Sequence, residues 1–96
     1  MKLLTNIFLG VLLLISTLSV AGQSEYDDCI LKYLKGAKLD IAAHTIKQAC
    51  IENYRNPGFT SKKKRAYNAC ILENLPGIES LQAVMEIKSA CKRKYQ

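Results

Sequence analysis

Apolar residues recur along this chain at the spacing of an α-helix, and the whole pattern occurs twice. Tyr26, Cys29, Ile30, Tyr33 and Leu34 fall at i, i+3, i+4, i+7 and i+8, which is one face of a helix. A second stretch follows in which Ala42, Ile46, Ala49, Cys50 and Asn53 share a face. Adding 41 to these positions reproduces the plan. Tyr67, Cys70, Ile71, Asn74 and Leu75 form the third face, and Ala83, Ile87, Ala90 and Cys91 form the fourth. Gly36 maps onto Gly77 and Tyr54 onto Tyr95 without a gap. No segment shows the strict alternation of a half-buried strand. The pattern predicts an all-α fold of four helices in two tandem hairpins. The copies span 26–55 and 67–96, and a basic linker, 56–66, joins them.

The residues between the apolar faces fit this plan. Asp27 and Asp28 are expected in the first turn of the first helix, where acids complement the helix dipole. Gly36 is placed to end that helix as a C-terminal cap. Asp40 is placed to cap or begin the second. Asn56-Pro57-Gly58 ends the first copy. Pro76-Gly77 forms the turn of the second copy, and Ser80 is the expected cap of its last helix.

Residues 1–21 carry a different pattern. Lys2 supplies a positive start, Ile7 to Ile15 an apolar run, and Ser19-Val20-Ala21 a small-x-small cleavage site. This is the pattern of a signal peptide cleaved after Ala21. The run is shorter than the roughly 20 residues that a transmembrane helix needs, so the mature form is expected to carry no membrane span. No cysteine follows the cleavage site to take a lipid anchor.

Charge and cysteine usage then narrow the class. The chain has a net charge of +6, and Lys2 is the only charged residue in 1–21, leaving +5 on 22–96. A domain this short buries little apolar surface and usually needs staples. Export would supply an oxidising compartment in which disulfides persist. Four cysteines allow three connectivities. The hairpin geometry selects one. Cys29 lies seven residues before Gly36 and Cys50 ten residues after Asp40. Along helices these are roughly 10.5 and 15 Å, a mismatch of less than one turn. Cys29 is therefore expected to pair with Cys50, and Cys70 with Cys91. A zinc site would draw ligands in pairs two to four residues apart, whereas these cysteines are separated by 20, 19 and 20 residues. No metal and no cofactor is implied.

Catalytic chemistry finds little support. His44 is the only histidine, and its equivalent in the second copy is Met85. Asp27 and Asp28 are neighbours that point apart on a helix. No phosphate-binding glycine loop or nucleophile motif is present, and cysteines held in bridges leave no reactive thiol. The chain is not expected to be an enzyme. The tyrosines recur between copies (Tyr26 with Tyr67, Tyr54 with Tyr95), which favours packing roles. Phe59 has no equivalent and is expected to cover the join between the hairpins.

Two basic runs remain. Lys92-Arg93-Lys94 ends the last helix, where the dipole favours cations. Lys62-Lys63-Lys64-Arg65 precedes or opens the third helix, where the dipole disfavours them. A local cost without a local gain points to a partner, so Lys62, Lys63, Lys64 and Arg65 are the candidate binding residues. An acidic protein or another anionic surface would suit them. Nucleic acid is not expected for an exported chain.

The segment Asp28-Cys29-Ile30-Leu31-x-x-Leu34-Lys35-Gly36, with Ala42-Ala43-x-x-Ile46-x-x-Ala49-Cys50-x-x-x-Tyr54, resembles a motif of small exported bacterial proteins to which no function is assigned. The second copy departs from it, since Pro76-Gly77 replaces lysine-glycine, and Leu39 stands where the motif tends to have serine. The resemblance implies a periplasmic or secreted protein and transfers no functional residue. The resulting expectation is a protein-binding module of inhibitor or immunity type. A cationic effector acting on membranes is the alternative.

Overall fold

The computed structural model describes residues 22–95, and the expected signal peptide lies outside the described residues. The described chain is helical, with no strand among its residues. Helix α1 spans 22–33, α2 Asp40–Cys50, α3 Lys62–Asn74 and α4 Leu81–Tyr95. The expected bridges are present. Cys29 pairs with Cys50 and Cys70 with Cys91, each with a Cα–Cα separation of 5.8 Å. Both values lie within the range a disulfide accepts. Each bridge joins the two helices of one hairpin, and each contributes about 3 kcal/mol in the chain-entropy model for a loop of this length.

The core is built where the apolar faces meet. Ala42, Ile46, Ala49 and Cys50 of α2 are buried, as are Ile71 and Leu72 of α3, Leu75 just beyond it, and Val84 and Cys91 of α4. Helix α3 is central and packs against both α2 and α4. That position breaks the equivalence of the two copies. Leu72 on α3 is 3% exposed, whereas its counterpart Leu31 on the outer helix α1 is 67% exposed. Ala90, expected on the inner face of α4, is exposed, while its counterpart Ala49 is buried. On α4 the buried residues are Val84 and Cys91, and the helix packs chiefly against α3.

Several local features differ from the sequence-based expectation. Helix α1 is already formed at residue 22, so Asp27 and Asp28 lie beyond its first turn, where dipole effects fade. Of the two places expected for Asp40, it takes the first residue of α2, and the cap position is Leu39. Gly36 does not adopt a left-handed cap. Helix α1 tightens into a 3-10 turn, Leu34–Gly36, closed by the Ala37 N–H donating to the Leu34 carbonyl. The reason for Gly36 is close approach: a Cβ there would stand 3.1 Å from the Pro76 Cβ. Its carbonyl accepts a 2.7 Å hydrogen bond from the N–H of Gly77, its own counterpart. The two hairpin turns are thus joined to each other, and Gly77, at φ 84°, supplies the left-handed residue.

The opposite end of the molecule is organised by the exit from α2. There the helix widens into a π turn, Ile51–Arg55, a form that is rare outside single-turn bulges. The widened turn carries Asn53, which spans the two hairpins. Asn53 Nδ2 donates to the Arg65 carbonyl at 3.2 Å, and Asn53 Oδ1 accepts from Asn68 Nδ2 at 2.9 Å. Asn68 is buried, and this bond satisfies its amide donor at low exposure. The chain then turns through Pro57–Phe59. Ser61 caps α3, its hydroxyl accepting from the Lys64 N–H at 3.1 Å. The connector between hairpins is consequently shorter than 56–66, because the basic run forms the first turn of α3. Phe59 does not cover the join: it is 95% exposed.

Candidate docking face

A helical residue turns about 100° from its predecessor, so four consecutive lysines and arginines on α3 cannot face one way. Lys62 and Lys63 turn toward α4 and line a shallow hollow together with Ala66, Arg93, Lys94 and Tyr95. Lys64 turns the other way. Its ammonium sits 4.5 Å from the centre of the Tyr67 ring, and it borders a separate cleft with His44, Glu52, Tyr67 and Lys88. Arg65 is exposed, and its backbone carbonyl is held by Asn53. The four candidate residues are therefore divided: two on one hollow, one in a cleft, one on the rim between the hairpins.

What completes the hollow is the other basic run. Cys70 and Cys91 face each other across antiparallel helices, so a step back along α3 matches a step forward along α4, and Ala66 comes level with Tyr95. This brings Lys62 and Lys63 beside Arg93 and Lys94. The two runs are separate in sequence and form one surface in space. The signal that reveals this is the disulfide register.

Electrostatics treats the two sides differently. Arg93 and Lys94 lie in the last turn of α4, where the helix dipole favours cations. Lys62 and Lys63 occupy the first turn of α3, which contains no acidic residue, and there the dipole opposes them. Among the described residues, none of the side chains lining the hollow is acidic. Ala66 contributes a small apolar floor and Tyr95 an aromatic wall, its ring 5.5 Å from the Lys94 ammonium. The surface offers four cations and a ring edge to an anionic group.

The cleft on the other side of α3 is lined in part by Tyr67. Burial, and secondarily the Glu52 carboxylate, raise the Tyr67 phenol above its ordinary value of 10.0. The phenol therefore stays protonated through the physiological range. His44, the only histidine, is exposed at the mouth of this cleft. Asp27 and Asp28 are exposed on α1, and Asp27 accepts a hydrogen bond from Gln23 Nε2 at 3.0 Å. The four cysteines are all in bridges. Among the described residues no group of three or more histidine, cysteine or acidic side chains is placed to hold a metal ion.

These features define a small all-α protein of two disulfide-stapled hairpins with a cationic end. A family model described as four-cysteine protein VF_A0006-like matches residues 8–95. The chain belongs to that family, and the match takes in both cysteine pairs. No curated protein and no solved structure matches the chain. Two disulfides suit an oxidising setting such as the periplasm or the extracellular space. Among the described residues no helix is long and apolar enough to cross a membrane.

Proposed function

We propose that this chain is an exported protein-binding module, of inhibitor or immunity type, that covers an acidic patch on another protein. Its leader is cleaved after Ala21, and it acts in the periplasm or outside the cell. The observation that carries this reading is the gathering of Lys62, Lys63, Arg93 and Lys94 around one hollow with no acidic lining among the described residues. Two of these cations stand where the helix dipole disfavours them, so the arrangement is better explained by a partner than by the fold. Complementary charge of this kind speeds encounter and selects the partner.

The alternative is a cationic effector at membranes. A membrane-active helix presents a broad apolar face. Here the faces of α2 and α3 supply the core, and the exposed large apolar residues are scattered over α1, α2, the connector and α4. Protein binding is therefore the lead. An affinity pull-down from envelope and culture fractions tests it, with the oxidised protein and the K62Q/K63Q variant as baits. The reading expects a protein recovered by the first and lost or depleted with the second. Equal recovery by both, or recovery of anionic lipid alone, would count against it.

A further inference from the structure

We infer that Phe59 is the apolar anchor of this same docking face, and that the partner presents a cavity for an aromatic ring bordered by carboxylates. The inference rests on the basic hollow being a binding surface, and adds to it the shape and chemistry of what binds.

Phe59 is 95% exposed, the most exposed of the large apolar side chains in the described chain. The turn that carries it is well tied. The Phe59 N–H donates to the Asn56 carbonyl at 3.1 Å, and the Thr60 N–H to the Pro57 carbonyl at 3.3 Å. The Thr60 hydroxyl lies 2.8 Å from the Glu52 carbonyl and 3.0 Å from that of Asn56. Pro57 restricts the backbone further. The ring is thus displayed on an ordered turn, which lowers the entropy lost when a partner immobilises it. Phe59 lies in the connector, outside the two copies, so the repeat packing does not call for it.

Its position links it to the cations. Phe59 precedes Lys62 by three residues, so their Cα atoms lie within about 11 Å of each other. One aromatic beside a basic rim is the composition of a protein interface, in which a central buried ring is surrounded by charges that steer and orient. A lipid surface fits less well. A single ring offers less apolar area than one myristoyl chain, which alone gives only marginal membrane binding. The hollow that Lys62 helps to line is shallow and cationic, suited to an acidic side chain.

The test places a photoreactive phenylalanine at position 59, and separately at position 95, in the full chain produced in its native host. The inference expects position 59 to cross-link to a protein, with the attachment site in an apolar cavity flanked by Asp or Glu. That protein, once purified, should bind F59A at least about tenfold more weakly than wild type. F59L should recover part of the loss, and the melting temperature of F59A should match wild type because the ring is exposed. An adduct at 95 but none at 59 would remove Phe59 from the interface and leave the basic hollow standing. Adducts at neither position would overturn both. Cross-links to lipid, or binding unchanged in F59A, would overturn the inference.

Discussion

The bond between Asn53 and Asn68 is one of the ties between the two hairpins, and a double-mutant cycle measures it. Asn68 is 2% exposed and donates to Asn53 Oδ1 at 2.9 Å. Replacing Asn68 with alanine removes a hydrogen bond worth about 0.5–1.5 kcal/mol net. It also strands the Asn53 oxygen. Asn53 is half-buried, so water reaches it, and this penalty sits near the lower end of the usual 1–3 kcal/mol. The expected loss is about 1.5–2.5 kcal/mol. At about 4–8 °C per kcal/mol for a domain of this size, the melting temperature falls by roughly 6–20 °C. Asn53→Ala should cost about as much, because it leaves the buried Asn68 amide without its acceptor. The double variant should cost much less than the sum, giving a coupling of about 1 kcal/mol. Urea denaturation followed by far-ultraviolet circular dichroism, with the disulfides intact, supplies all four corners of the cycle. Additivity within about 0.3–0.5 kcal/mol would refute the reasoning, since it would mean the two side chains do not sense each other. The π turn would then need another explanation.

Other outcomes follow from the same geometry. Proteolysis between Tyr54 and Tyr67 without reduction should release two separately cross-linked halves, and replacing either cysteine pair by alanines should cost about 3 kcal/mol; a destabilisation below 1 kcal/mol would show the hairpins hold without staples. Intact-mass analysis of the exported protein should show Gly22 as the first residue, and a product beginning at Met1 would contradict the leader reading. Stability should begin to fall as pH rises through 10.0, the ordinary value of a tyrosine, because the unfolded phenol ionises there while the folded Tyr67 phenol resists until higher pH. Y67F should flatten that alkaline limb; an unchanged limb would assign it elsewhere. K62Q/K63Q should leave stability unchanged or raise it by a few tenths of a kcal/mol, since it relieves an unfavourable dipole interaction, and a clear loss would make the run structural.

Much of this fold was legible before any coordinates. Helical spacing of apolar residues marked the four helices, and the repeat placed both cysteine pairs in equivalent slots, so the pairing followed from hairpin geometry. What the pattern lacked was the order of packing. Leu31 and Leu72 occupy the same slot in their copies, yet only Leu72 is buried, because α3 packs between α2 and α4. Ala90 and Ala49 also share a slot, yet only Ala49 is buried. Polar residues were harder still. Asn68 sits where the first copy has Asp27, and nothing local distinguishes a buried asparagine from a solvated one. Glycine usually ends helices as a cap, whereas the role of Gly36 is contact with Pro76 across the molecule. Of the candidate site, Lys62 and Lys63 stand out in the sequence because the helix dipole opposes them, whereas the last-turn dipole is reason enough for Arg93 and Lys94. Combining the disulfide register with antiparallel geometry would have joined the two runs.

The most direct measurement of the central claim is the association rate between the purified partner and this protein, for wild type and K62Q/K63Q, across a range of ionic strength. If the hollow formed by Lys62, Lys63, Arg93 and Lys94 recruits an acidic protein, the variant associates about tenfold more slowly at low salt. The gap should close as the Debye length shrinks from about 30 Å at 0.01 M to about 8 Å at 0.15 M. The variant's melting temperature should be equal to or slightly above that of wild type. Equal rates at low salt, or a deficit that persists unchanged at high salt, would contradict it.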